Sequence, residues 1–456
     1  MIKRFFGVLV VLLLSFTVAY ASDGGNYIVK VKDGYIPSEI YECLLPLIEE
    51  EGMYTTDEKT VKKYNNYFEW VEKDEVVQIT EVEPPAQMEI STLSLQNPYD
   101  WVNAEFAWEA MTCGKGVNVA VIDTGCNDHI GFEGNFKGGY NYVSKKNDVT
   151  DENGHGTHVC GIIAATFGDT VTGVAPKANV YALKVMEDGK GTTVTMIVNA
   201  FNDAVNKYNC KVISISMDFG ADYTAIKTAI KNASTKGAII LAAAGNSGSS
   251  DKGKIKQYPA GYDEVISVGS CKYNYSLGEF KRSSFSQNNS YVVVCAPGEG
   301  VKSFRKTDAY TSMTGTSQAT PIVSASAAIL LSIKPDMTQN EFIGYLAKCS
   351  HPINDDYTGY GIIDIEAMVK ECLKEEKLYI SDIDADGVGI YNNTTENQNI
   401  MGGFSGADSE GNYCADAVFG VIEPKTAMRF KPQDMTADKI YLWKNFVPMI
   451  KPVTVN

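Results

Sequence analysis

The chain has 456 residues, 44% hydrophobic and 21% charged, with a net charge of −16. That length suits two or three domains, one of them large, and the apolar share is enough for a sizeable core. Lysines and arginines are scattered rather than clustered, which excludes the basic stripe that nucleic-acid binding needs.

The opening, "MIKRFFGVLVVLLLSFTVAYASDGG", sets Lys3 and Arg4 before an apolar run from Phe5 to about Val18, then Ala19-Tyr20-Ala21. A positive end, a short apolar run and a small-x-small site predict a secretory signal peptide over residues 1–21. The run is short for a bilayer span, so no stable membrane insertion is expected after cleavage. The other long apolar stretch, "ATPIVSASAAILLSI", is interrupted by Pro321 and reads as a buried helix. Export permits disulfides, but ten cysteines spread over a chain this long are not a dense disulfide scaffold.

Residues 22–95 form a first unit. "NYIVKVKDG" is a strand ending in a turn, "PSEIYECLLPLIEEEG" (37–52) a short amphipathic helix, and "YFEWVEKDEVVQITEVEPP" two further strand-like runs before a proline stop. A β-α-β-β unit this small is marginal alone and needs a partner to stay folded.

From 96 to 374 the texture changes. "GVNVAVID", "NVYALKVM", "CKVISISM", "GAIILAAAG" and "EVISVGS" are short apolar runs bounded by polar residues or glycine. Helical patterns such as "TVTMIVNAFNDAVNKYN" and "DYTAIKTAIKNASTKG" lie between them. Apolar strands alternating with helices predict an α/β fold whose parallel sheet is covered on both faces. Ligands in such folds bind beyond the carboxyl ends of the strands. Residues 375–456 are rich in Asp, Asn and Gly with short strands, and read as a small β-sandwich module.

Chemistry collects at the strand ends. "AVIDTG" ends a strand at Asp123, "DENGHGTHVCG" opens a helix with His155, and "GTSQATP" puts Ser317 at a Gly-rich entry to another helix. Two of the four histidines, His155 and His158, stand three residues apart in that motif. Acyl transfer requires a hydroxyl made nucleophilic, an imidazole to take its proton and a carboxylate to orient the imidazole. The chain order Asp, His, Ser is one known arrangement of that triad. A helix N-terminus at the serine offers an N–H to an oxyanion, and Asn246, directly after an apolar strand, offers a second donor. An aspartic protease would need a second D-[ST]-G, which the chain lacks. A metal site on His155 and His158 would need further ligands at suitable spacing, and none accompanies them. His158 reads as structural, one turn below the base. Gly154 and Gly156 let the backbone crowd around the imidazole, and Asp151 shapes the loop.

"AVIDTG", "GHGTHVCGIIAA", "GVAP", "AAAGN" and "GTSQATPIVSA" resemble, in order and approximate spacing, the motifs of the subtilisin-like serine proteases. The resemblance implies Asp123, His155 and Ser317 as the triad, Asn246 as the oxyanion-hole side chain, and a seven-stranded parallel sheet sandwiched by helices. It implies polypeptide substrates that pair with two exposed strand segments, Gly189-Lys190-Gly191 and Ser216-Met217-Asp218. Ala243, Ala244 and Gly245 would line the primary specificity pocket. Asp218 stands where the family usually has glycine, and Gln257 roughly where a small residue floors the pocket. A narrower, more polar pocket suited to small or basic side chains is the expectation.

The unit at 22–95 resembles the inhibitory pro-domains of these proteases, which implies an autoprocessed zymogen with the pro-domain as its own inhibitor. No cofactor is required for the chemistry. A structural calcium has Asp128 and Asp169 as candidate ligands, although the loop "TFGDTVTG" looks shorter than the usual calcium-binding version. Cys160 reads as a small buried apolar residue, with a redox- or mercurial-sensitive site as the alternative. "DKIYLWKNFVPMIKPV" is loosely similar to closing segments of secreted surface proteins, so the module is either a cell-surface attachment or a stabilising appendage. The expectation is a secreted serine endopeptidase; the competing one is a catalytically silent scaffold on the same fold.

Overall fold

A computed structural model describes residues 27–77 and 100–456, apart from 35, 169, 188–190, 306–308, 375–377, 385, 410–412, 434, 445–446, 449–452 and 455–456. The signal peptide read over 1–21 and the Pro-rich exit of the first unit lie outside the described residues. The chain divides into two compact units, residues 1–74 and 75–456.

In the first unit, β1 (Tyr27–Val31), α1 (Ser38–Tyr41), β2 (Leu45–Ile48), β3 (Met53–Thr56), α2 (Glu58–Tyr64) and β4 (Phe68–Lys73) build an antiparallel sheet in the order β2-β3-β1-β4. Val29, Val31, Ile40, Leu44, Tyr54 and Phe68 form its core. The helix expected over 37–52 stops after Tyr41. Pro46 cannot continue a helix, and Leu45–Ile48 pairs with β3 instead. The α2 helix adds a second helical element, opened by Asp57, whose carboxylate accepts the Thr60 N–H at 2.6 Å.

The second unit begins with β5 (Val76–Val77) and α3 (Ala104–Glu109). Its central sheet uses β6 (Asn118–Asp123), β7 (Phe136–Asn141), β8 (Asn179–Lys184), β10 (Val212–Ile215), β11 (Ile239–Ala243), β12 (Ile266–Asn274) and β14 (Val294–Pro297). These seven strands run parallel in the order β7-β8-β6-β10-β11-β12-β14, the seven-stranded parallel sheet that the resemblance implies. An eighth, β13 (Glu279–Arg282), is antiparallel to the far end of β12. The strands read as continuous apolar runs because both faces are covered: every residue of β10 and β11 is buried. The helices α4 (His155–Ala164), α5 (Val194–Asn206), α6 (Thr224–Thr235) and α7 (Thr316–Ile333) flank the sheet. Among the described residues α7 alone is long and apolar enough to cross a membrane, and 83% of it is buried inside the protein.

Outside that sheet, β9 (Thr192–Thr193) pairs antiparallel with β5, and β15 (Val301–Phe304) with β16 (Tyr310–Met313). The helices α8 (Gln339–Cys349) and α9 (Ile365–Cys372) close this part of the chain. Beyond them, β17 (Leu378–Asp384), β18 (Gly387–Asn392) and β21 (Ala427–Phe430) form one sheet. β19 (Gln398–Asp408), β20 (Tyr413–Ile422), β22 (Met435–Lys444) and two short closing strands form a second. Val388, Ile390, Ile400, Phe404, Ile422, Phe430, Ala437, Ile440 and Leu442, drawn from both sheets, share one core, so this region is a β-sandwich. It is tied to the larger body by Tyr379, whose hydroxyl donates to Ser332 O at 2.9 Å, and by Lys115, whose ammonium donates to Ile383 O at 3.1 Å.

Candidate active site

Asp123 is the last residue of β6 and His155 the first of α4. The carboxylate is 1% exposed, and its Oδ1 lies 2.8 Å from His155 Nδ1. Oδ1 also accepts the Thr124 N–H at 2.7 Å, so the backbone fixes the acid that faces the ring.

Local chemistry explains why the helix starts where it does. Asp151 Oδ1 accepts the N–H groups of Asn153 (3.1 Å) and Gly154 (2.8 Å), while Oδ2 accepts the Thr157 N–H (2.8 Å) and hydroxyl (2.7 Å). One buried carboxylate thereby satisfies the turn and the first helical N–H groups together. Gly154 takes the left-handed φ of +96°. A Cβ on Gly156 would sit 2.1 Å from Gly125 O, so only glycine lets the histidine's helix approach the strand end that carries Asp123. Lys184 at the end of β8 is fully buried and bonds to Thr150 O at 2.5 Å and to the Glu152 carboxylate, holding the same loop from beneath.

His158 is fully buried and donates from Nε2 to Val301 O at 3.0 Å, with Thr311 O at 3.3 Å. Burial, helped by the charge of nearby His155, pushes its pKa down to about 3, so it is a neutral packing residue. The other two histidines are also accounted for: His129 stacks on Phe304 at 3.9 Å, and His351 bonds to Asp364 at 2.8 Å.

Ser317 is the second residue of α7. Its hydroxyl donates to Ser216 O at 3.0 Å, and the Ser216 hydroxyl donates back to Ser317 O at 3.0 Å. Pro321 lies in the second turn of α7. It therefore cannot donate to Ser317 O four residues earlier, and Ser216 supplies the missing hydrogen. Ile122 of β6 and Ile215 of β10 pair in register, so Asp123 and Ser216 are the next residues on neighbouring strands. His155 and Ser317 are each bonded to one of these two strand ends.

Asn246 follows β11. Its Oδ1 accepts both the Thr316 N–H (2.8 Å) and the Thr316 hydroxyl (2.9 Å). Both partners are donors, which fixes the amide orientation and turns Nδ2 the other way, toward Gly315. Thr316, which sequence reasoning passed over, is thus the residue that aims Asn246; its place directly before Ser317 was the available signal.

Gly189 and Lys190 lie outside the described residues. Gly191 is described and exposed, and a Cβ there would stand 2.5 Å from Val76 Cγ1, because β5 already lies along this edge. Ser216, Met217 and Asp218 are buried along the second edge. Ala243 closes β11, and Ala244 and Gly245 follow, with Gly245 at φ +106°. Gln257 is brought to this wall: a Cβ on Gly245 would meet Gln257 Cγ at 3.2 Å, Asp218 Oδ2 at 3.3 Å and Gln287 Oε1 at 3.3 Å. That Gln287 and Tyr291 lie against Ala244 and Gly245 was not legible in the sequence. Tyr291 donates to Ala244 O at 3.0 Å and accepts the Gln257 N–H at 3.1 Å, joining two walls from a distant stretch of chain.

All ten cysteines are free thiols. Cys160 is fully buried beside Cys126, whose thiol is held well above its ordinary range by burial and by that neighbour. Among the described residues no three His, Cys, Asp or Glu side chains gather to hold a metal ion; Asp128 is described and Asp169 is not.

The family model described as "Subtilase family" matches residues 114–361. Among curated proteins the chain is 38% identical over 257 residues to subtilisin DY of Bacillus licheniformis, covering 56% of this chain and 91% of that protein. It is 34% identical over 295 residues to the major intracellular serine protease of Bacillus subtilis, covering 61% and 90%. It is 35% identical over 234 residues to thermitase of Thermoactinomyces vulgaris, covering 51% and 80%.

Proposed function

Because the chain belongs to the subtilase family and is a serine-type endopeptidase, we propose that it hydrolyses peptide bonds through Asp123, His155 and Ser317, with Asn246 in the oxyanion hole. The observation that carries this reading is the 2.8 Å Asp123–His155 pair beside the strand end that receives the Ser317 hydroxyl. With Nδ1–H held by the carboxylate, Nε2 is the basic nitrogen. The Ser317 hydroxyl turns from Ser216 O to Nε2, loses its proton and attacks the scissile carbonyl. His155 then returns the proton to the leaving amine, and water repeats the cycle on the acyl-enzyme. The developing oxyanion takes the Asn246 amide and the Ser317 N–H, the latter unpaired within the first turn of α7.

The substrate backbone would add as a strand to 189–191 and to 216–218. Antiparallel pairing of Val76–Val77 with Thr192–Thr193 supports an edge receptive to such addition. The resemblance of residues 22–95 to inhibitory pro-domains supports the upstream unit as an intramolecular inhibitor, removed by self-cleavage. The leader read over 1–21 supports action outside the cell, with the β-sandwich as a stabilising or surface-attaching appendage.

A fluorophosphonate probe tests the core of this reading. It is expected to label Ser317 once per chain, and Ser317→Ala is expected to abolish both labelling and release of the N-terminal unit. Unlabelled wild-type protein, or clean self-processing of the alanine variant, would overturn it.

A further inference from the structure

We propose that the cavity between the end of α9 and the β-sandwich binds an acidic saccharide, a short sugar chain carrying carboxylates. None of Asp123, His155 or Ser317 lines it, so it stands without the proteolytic reading. Its volume is about 400 Å³, inside the range of small-molecule sites, roughly 300–1,000 Å³. Two ammoniums line it, from Lys374 just past α9 and from Lys444 at the end of β22. Lys444 is half-buried, and among the described residues no carboxylate pairs with it. Lys374 meets the Glu371 carboxylate at 3.9 Å, while Lys348 holds that same carboxylate at 2.6 Å. An ammonium drawn part-way out of water without a counter-charge is costly, and an arriving carboxylate offsets that cost. In a chain of net charge −16, two such ammoniums draw anions to this cavity that the surface elsewhere repels.

The turn between β18 and β19 forms another lip of the cavity, and it is held in shape from within. Asn392 is fully buried; its Oδ1 accepts the Thr394 N–H at 3.0 Å and hydroxyl at 2.7 Å. Its Nδ2 donates to Glu396 O at 2.8 Å and to Ile422 O at 2.9 Å. Gln398 also donates to Glu396 O, at 3.1 Å, and Asn393 ties the turn to α9 by donating to Leu373 O at 2.6 Å. These bonds fix the lip before a ligand arrives, so binding spends little on ordering it. Thr395 and the Glu396 carboxylate stand exposed there, and among the described residues no cation pairs with Glu396. Glu396 accepts sugar hydroxyls but repels a bare inorganic polyanion, which separates an acidic saccharide from sulfate or phosphate. Among the described residues no aromatic ring lines the cavity, so a nucleobase or phenyl group would find nothing to stack on.

The test is isothermal titration calorimetry on the full chain carrying Ser317→Ala, which keeps it from digesting itself, with trigalacturonate as the probe. Cellotriose supplies ring hydroxyls without charge, and triglutamate supplies carboxylates without ring hydroxyls. Trigalacturonate is expected to bind at least about tenfold more tightly than either. Lys444→Gln and Lys374→Gln are each expected to weaken it by about tenfold at an unchanged melting temperature. Lys231→Gln, on the exposed side of α6, is expected to change nothing. No binding of trigalacturonate would overturn the proposal, as would equal binding of cellotriose or full affinity in both cavity variants. Equal binding of triglutamate would also overturn it and make this a site for acidic peptides. None of these readouts needs catalysis, so their failure leaves the serine-labelling test of the proteolytic reading untouched.

Discussion

Ser216 and Ser317 are bonded to each other twice, each hydroxyl donating to the other's backbone carbonyl at 3.0 Å. The second bond exists because Pro321 withholds the N–H that Ser317 O would otherwise receive. Ser216→Ala leaves that carbonyl short of its donor. Stability should fall by about 1–3 kcal/mol, and kcat/KM by about tenfold or more as the nucleophile's own turn loosens. Ser216→Thr, which keeps a hydroxyl, should recover most of the stability. Thermal unfolding of both variants decides it: an alanine variant as stable as wild type would mean the carbonyl has another donor.

Asn246→Ala removes one of the two donors proposed for the oxyanion while leaving Asp123 and His155 untouched. Turnover should drop about 10²–10³-fold with little change in KM, the usual cost of losing one oxyanion-hole donor. Thr316→Val should show a smaller version of the same defect. It deletes one of the two donors that hold Asn246 Oδ1 and spares the other, the Thr316 N–H.

Two glycine-to-alanine changes separate crowding from flexibility. In Gly156→Ala the new methyl meets Gly125 O at 2.1 Å, and neither is the end of a flexible side chain. A stability loss of about 1–3 kcal/mol is expected, with activity falling further because the shift acts on the Asp123–His155 pair. Gly344→Ala, inside α8 with no heavy atom within 4 Å of the added carbon, should gain up to about 1 kcal/mol from helix propensity. Denaturant midpoints of opposite sign would bear this out; equal signs would not.

His158 links stability to pH. Folding lowers its pKa from the ordinary 6.5 to about 3, so the unfolded chain binds a proton that the folded one refuses. Its contribution is fully present above pH 6.5 and is lost as pH falls toward 3, amounting to several kcal/mol across that window. His158→Gln, which can still donate toward Val301 O but cannot titrate there, should show a shallower fall in melting temperature between those limits. An unchanged slope would assign acid lability to other groups.

Much of this arrangement was legible in the chain. Five apolar runs became five of the seven parallel strands because two-sided burial demands uninterrupted hydrophobic sequence, and the candidate site residues Asp123 and Asn246 stand at or just past the carboxyl ends of two of them. Less visible were features set by distant partners. Tyr291 and Gln287 reach Ala244 and Ser247 from a loop with no local motif, Lys184 looks like a surface residue until the strand end buries it, and Ser216 gains meaning only beside Pro321. The 37–52 segment misleads for a local reason: its apolar spacing fits a helix, while Pro46 and the open edge of β3 favour a strand.

The rung shared by Ile122 and Ile215 has an evolutionary corollary. The gap between Asp123 and Ser216, which holds the Ser317 hydroxyl, is dictated by interstrand ladder geometry, about 4.8 Å between neighbours, and by no connecting segment. Intervening sequence can therefore lengthen, shrink or be replaced without altering that spacing, whereas slippage of either strand by a single position would dismantle the proposed triad.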